Sequence, residues 1–291
     1  LAGDVLEAHL SYWRRHLGGD LPLLDLPFAR PRPARPSFRG GRCLLDLPGD
    51  LSDKLAALNR QHGVTLFMTL LAALEIQLAR CTGQESIIVG MTFSNRNQLE
   101  TEDLIGCFVN TLPLRIDFAD VSSFPDLLNQ VKEVTLGAFA HQDLPLEKLV
   151  EEIRPRRYRE GTPLFQMTFG VQNAPREILS FAGIESSPVH GLGVDDAKFD
   201  LTIWALETPR GLRIAWTYSR DLFAEEDIVK MHEHFGTLLR SIVREPEAPI
   251  DKLEMYSATE KEQFLRQQEI RTEKKRKKLK NIKPQRVKVS E

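Results

Sequence analysis

Cysteine is scarce in this chain. Only Cys43, Cys81 and Cys107 occur, far apart and without a CxxC pair. Such spacing offers neither a zinc site nor a disulfide framework, and it fits a reducing, cytoplasmic setting. Long apolar runs are missing as well. No stretch of about 18 residues is apolar and free of charge, so no membrane span is expected. GxSxG and the P-loop are absent, which removes a nucleophile elbow and a phosphate cradle. Leu1 is not an initiator methionine and no signal peptide precedes it, so the chain reads as a piece of something longer. There is no internal repeat.

Charge is nearly balanced, with a net value of −2, but it is unevenly placed. Lys274, Lys275, Arg276, Lys277, Lys278, Lys280 and Lys283 crowd the C-terminal tail. Without that tail the body is acidic, so no nucleic-acid footprint is expected. Residues 256–291 read as a basic, solvated linker or extension. The 291 residues, 42% of them hydrophobic, suffice for one large domain or two small ones.

Periodicity sets out the elements. Leu6, Leu10, Trp13 and Leu17 recur at helical spacing, stopped by Gly18-Gly19. Residues 20–41 carry five prolines and read as an extended linker that wraps a surface. Arg30, Arg32, Arg35 and Arg39 interleave with them and read as solvated. Residues 42–47 alternate as a strand. Ser52 is an expected N-cap for the helix of Leu55 and Leu58. Residues 65–80 are almost wholly apolar, as in a fully buried helix, and Ile87–Thr92 reads as a buried strand of the parallel kind.

Ile105–Arg115 also reads as a strand, apolar on both faces through Cys107, Phe108, Val109 and Thr111. Asn110 stands alone within it. Such an amide is hydrogen-bonded or lines a cavity, and the residues leave both open. Ser123 caps a helix ending at His141-Gln142-Asp143, and Asp143 is placed to cap the short helix of Leu146 and Val150. A catalytic His141–Asp143 pair is disfavoured, because residues i and i+2 diverge in an extended chain. Strands follow at Leu164–Gln172, Phe199–Leu206 and Leu212–Tyr218, with a turn at Pro209-Arg210-Gly211, and a last amphipathic helix spans Ile228–Ile242. The sum is an α/β two-layer sandwich with a mixed sheet and flanking helices.

Several chemical-looking patterns fail. His16-Leu17-Gly18-Gly19-Asp20 lacks a second histidine and a following glycine. Gly191-Leu192-Gly193 is half a phosphate fingerprint, and His190 with Asp195 is a loop pair at best. His232 and His234 lie two apart on a helix and face different sides, so no metal site is expected.

A set of ordered motifs remains. Ile105–Arg115 resembles the IGxFVNT-x-x-x-R motif of the condensation domains of nonribosomal peptide synthetases. His141–Glu147 resembles their HQDxPFE motif, with leucine at 146 in place of phenylalanine. Thr162–Gln166 resembles NPLFQ, although the preceding RDxSR is degraded to Arg157-Tyr158-Arg159-Glu160-Gly161. Tyr12-Trp13-Arg14, Pro31-Arg32-Pro33, Phe38-Arg39-Gly40, Thr65–Met68 and Phe199-Asp200-Leu201-Thr202 follow the family's order. The resemblance spans about residues 1–255.

It implies a chloramphenicol-acetyltransferase-like lobe, one of two that form a V around a tunnel. Carrier proteins bring phosphopantetheine thioesters to that tunnel, and an acceptor amine attacks the donor thioester to form an amide. The family's catalytic HHxxxDG belongs to the N-terminal lobe, and this sequence has none. The chain thus resembles the C-terminal lobe alone, with no catalytic residue and no bound cofactor of its own. Residues 1–19 would be the inter-lobe helix, 20–41 the linker and 42–255 the lobe. By resemblance, Asn110, Gln172, Asn95 and Arg96 face the tunnel, while His141, Asp143, Arg115 and Asp200 are structural. The implied partners are carrier domains, the N-terminal lobe and neighbouring synthetase domains, with no nucleic acid and no membrane. The competing expectations are a non-catalytic carrier-docking module, or a relative that epimerises, cyclises or forms esters.

Overall fold

A computed structural model describes residues 2–96, 99–102, 104–153, 163–172, 196–263 and 266. The helices are α1 (Gly3–His16), α2 (Gly49–His62), α3 (Leu66–Thr82), α4 (Leu99–Glu102), α5 (Phe124–Ala140), α6 (Leu146–Ile153) and α7 (Glu225–Arg244). The strands are β1 (Gly40–Pro48), β2 (Ser86–Phe93), β3 (Asn110–Asp117), β4 (Met167–Gln172), β5 (Leu201–Thr208) and β6 (Gly211–Ser219). The degraded RDxSR stretch, His190, Gly191–Gly193, Asp195 and most of the basic tail lie outside the described residues.

The strands form one mixed sheet in the order β1-β6-β5-β4-β2-β3. β2 runs parallel to β4 and β4 to β5, while the other pairings are antiparallel. Helices α2, α3, α5 and α7 touch one another and the strands beneath them, which makes the second layer. The expected two-layer α/β architecture is thus present. α3 is its axis. Every residue from Met68 to Leu78 is buried, as its apolar run demands. Each leucine buried there contributes about 2 kcal/mol relative to an exposed one.

Local chemistry sets the ends of these elements. Thr65 Oγ1 accepts the Met68 N–H at the start of α3. Ser123 and Asp126 form a reciprocal capping box at the start of α5. Gly211 closes the β5–β6 hairpin at φ 129°, where a Cβ would lie 2.3 Å from the Leu47 carbonyl.

Four expectations need correction. α2 starts at Gly49, so Ser52 is inside it and its hydroxyl bonds back to the Pro48 carbonyl. The β2 ladder is parallel on one side only. The proline-rich segment does wrap a surface, yet Arg32 is not solvated. Its guanidinium forks onto the Asp200 carboxylate, with Nη1 2.8 Å from Oδ1 and Nη2 on Oδ2. The backbone joins in, since Leu24 N–H donates to Gln166 Oε1 and Arg30 N–H to the Leu222 carbonyl. Finally, the strand expected over Ile105–Arg115 begins at Asn110 and is the edge strand β3. Leu104, Ile105, Cys107 and Val109 are exposed, because β2 ends at Phe93 and leaves them no partner strand.

Candidate functional site

Three of the four tunnel candidates meet at one end of the sheet. β2 ends at Phe93, which lies opposite Asn110 in the ladder, and Asn95 follows two residues later. β4 runs parallel beside β2 and ends at Gln172, which is exposed. Asn95, Asn110 and Gln172 therefore share the edge at which β2 and β4 finish and β3 begins. Arg96 belongs to the same rim. It donates to the carbonyls of Thr101 and Gly106 and lies 4.5 Å above the Phe108 ring. Arg96 thus pins the segment leaving β2 to the segment entering β3. Asn95 takes φ 53°, a left-handed conformation that asparagine tolerates.

Asn110 uses its full amide. Its Nδ2 donates to the carbonyls of Gln142 and Leu144, each at 3.1 Å. Its Oδ1 accepts the N–H of Thr111 at 2.9 Å and that of Leu146 at 3.3 Å. The amide is hydrogen-bonded, which is the first of the two alternatives its sequence position left open. It clamps the His141–Leu146 loop and accepts the first N–H of α6. Apolar side chains crowd the same region. Phe93 meets Phe139 edge-to-face at 6.1 Å, and Leu136, Val109 and Ile105 are exposed nearby in the chain.

The structural candidates lie elsewhere. Arg115 pairs with Asp117 at 3.1 Å and also donates to Ser86 Oγ and to the Gly18 carbonyl. Asp200 precedes β5 at the opposite end of the sheet from Gln172. Clefts of about 290 Å³ open on either side of its pair with Arg32. Among the described residues, no three His, Cys, Asp or Glu side chains cluster as a metal site would require.

His141 ends α5 and belongs to a cluster with α1 that sequence order conceals. Its ring stacks on Tyr12 at 4.2 Å, and its Nδ1 lies 3.1 Å from Nδ1 of His9. Tyr12 also stacks on His16, at 5.7 Å. Trp13 Nε1 donates to the His141 carbonyl, and Arg115 N–H donates to His16 Nε2. Burial pushes His16 down to about 4 and also lowers His141, whose neighbours His9 and Arg15 add to the effect. His9 and His141 are 132 residues apart, and nothing in the order of the chain signals this contact.

Known proteins resemble this chain in sequence and fold. The family model described as "Condensation domain" matches residues 1–265. The chain belongs to the condensation-domain family. One of the proteins that make up the linear gramicidin synthase of Brevibacillus parabrevis is 44% identical to it, over 91% of this chain and 3% of that protein. Surfactin synthase subunit 1 of Bacillus subtilis is 37% identical, with 89% of this chain and 7% of that protein covered. Among solved structures, the X-domain from teicoplanin biosynthesis aligns at TM-score 0.80 and 25% identity, covering 87% of this chain and 58% of that one. The first condensation domain of the CDA synthetase aligns at TM-score 0.71 and 21% identity, covering 88% and 55%. The chain therefore spans a small fraction of its curated relatives and little over half of a solved condensation domain. Its fold is the chloramphenicol-acetyltransferase-like lobe expected of that family.

Proposed function

We propose that this chain is the C-terminal lobe of an amide-forming condensation domain of a nonribosomal peptide synthetase, and that it has no activity alone. One observation carries the reading: a condensation-family match over residues 1–265 in a sequence without HHxxxDG. The reaction joins a donor acyl or peptidyl thioester to an acceptor amine. The base or oxyanion donor it needs would come from the other lobe. This lobe supplies a wall. Asn95, Arg96 and Gln172 line the rim of a half-tunnel, with phosphopantetheine arms presented by carrier domains. Asn110 acts at one remove, as a positioning residue for the loop and helix beside that rim. The exposed Leu104, Ile105, Val109, Leu136 and Phe139 fit a surface that the other lobe covers.

Reconstitution tests this. The chain would be mixed with two loaded carrier domains, with and without an N-terminal lobe bearing HHxxxDG. Amide product is expected only when that lobe is present, and product from the chain alone refutes the reading. A docking role is the second reading. It is favoured by the likeness to an X-domain whose solved complex contains another protein, OxyB. Carrier binding without amide formation in the complete mixture would select it.

A further inference from the structure

The histidine cluster holds α1 through ring nitrogens that cannot all be protonated. His16 Nε2 accepts the Arg115 N–H at 3.2 Å, and its ring also bonds the Pro113 backbone. A proton on Nε2 would set N–H against N–H and break that bond. His9 and His141 face each other through Nδ1 at 3.1 Å. One of those nitrogens must be bare, so two charged rings cannot keep the contact. Between the two sites stands Tyr12, stacked on His16 and on His141. It sits in a notch made by a missing side chain. A Cβ on Gly137 of α5 would lie 2.6 Å from the Tyr12 hydroxyl.

We propose that His16, packed with Tyr12 and His141, is a proton-sensitive latch. While neutral it holds Tyr12 over Gly137 and α1 against β3 and α5, and charging it releases α1 from the lobe.

The surrounding charges favour this sense. His16 is held down by burial first and by Arg115 second, opposed by Asp117 and the Pro113 backbone. His141 is held down by burial, then by His9 and Arg15. Asp143 is on the same loop as His141. On the far side of α1, Arg14 bonds Glu7 and Glu152, a contact with α6 that acid does not break until carboxylates protonate. Histidines whose folded pKa is lowered contribute stability that is complete above about 6.5 and is lost as pH falls toward the folded value. For His16, with a folded value of about 4, docking at pH 5 is roughly thirtyfold weaker than at pH 8. The consequence for catalysis rests on the condensation reading, in which α1 joins the two lobes. The latch itself does not.

Amide hydrogen exchange on the 291-residue chain tests it, with rates corrected for intrinsic pH dependence. Between pH 8 and pH 5, protection of the α1 peptides should fall at least tenfold while β2 and β4 stay protected. In the His16→Gln/His141→Phe variant, which keeps an acceptor and a stacking ring but no titration there, the fall should shrink below about threefold. Gly137→Ala should expose α1 at pH 8 already. Should the double variant not fold, the wild-type pH series and Gly137→Ala decide. Parallel loss of protection in β2 and β4, an equal fall in the double variant, or an unchanged α1 in Gly137→Ala would each overturn the latch. None of these readouts involves carrier proteins or amide formation, so the outcome is separable from that of reconstitution.

Discussion

Glu75 sits mid-helix in α3 at zero exposure, and neither carboxylate oxygen has a hydrogen-bond partner. Burial raises its pKa well above the usual carboxylate range. Burial therefore favours the protonated form of Glu75 in the folded state, whereas the unfolded chain ionises it near the ordinary value. A carboxyl with a raised folded pKa makes the protein less stable as pH rises above that ordinary value. Glu75→Met removes the unpaired polar group and keeps the volume. It should stabilise the lobe by about 1–3 kcal/mol at pH 8 and by less at pH 5. Thermal melts of both proteins at the two pH values check this. A destabilised variant, or a gain larger at pH 5, would contradict it.

The loop between α5 and α6 depends on a single side chain from β3. Asn110→Ala would orphan two carbonyls and two N–H groups that Asn110 now satisfies. A loss of about 2 kcal/mol is expected, since the loop is only partly buried and water can replace some of the bonds. Urea unfolding would measure it, and proteolysis should show cleavage shifting to residues 141–146. Unchanged stability would mean that the loop holds itself. The proline-rich segment is an element of the same kind. It has almost no secondary structure, yet Arg32, Leu24 and Arg30 fasten it across the starts of β4 and β5 and the chain after β6. Composition revealed that it would be extended. Only the folded chain reveals that its arginine is paired, because Asp200 lies 168 residues away.

At the scale of the whole molecule, the fold was readable wherever one local signal sufficed. The apolar run of α3, the capping serine of α5, the hairpin turn and the amphipathic face of α7 all stand where periodicity and capping put them. Boundaries failed where a partner decided them. Cys107, Phe108 and Val109 have strand-forming side chains, but a strand exists only beside another strand, and β2 has ended there. The candidate residues Asn95, Asn110 and Gln172 came from resemblance to ordered motifs, which did not say that the parallel β2–β4 pairing gathers them at one edge. The histidine cluster was not legible, since its members look like unrelated singletons in the chain.

The outer margin of β3 has a further consequence. Its outward-facing positions include Thr111, Pro113 and Arg115. Thr111 N–H is taken by Asn110 Oδ1, Pro113 has none to offer, and Arg115 N–H is taken by His16. An open strand margin with free donors is a template on which another chain can add its own strand. Here the donors at these three positions are removed or occupied. Pro113→Val would restore one. Light scattering on sized samples should then show growth with concentration, stronger at pH 5, where His16 lets go. A variant that stays monomeric at both pH values would contradict this. In wild-type protein, acid alone should start slow self-association, because the histidine that docks α1 is also what keeps the sheet of one copy from continuing into the next.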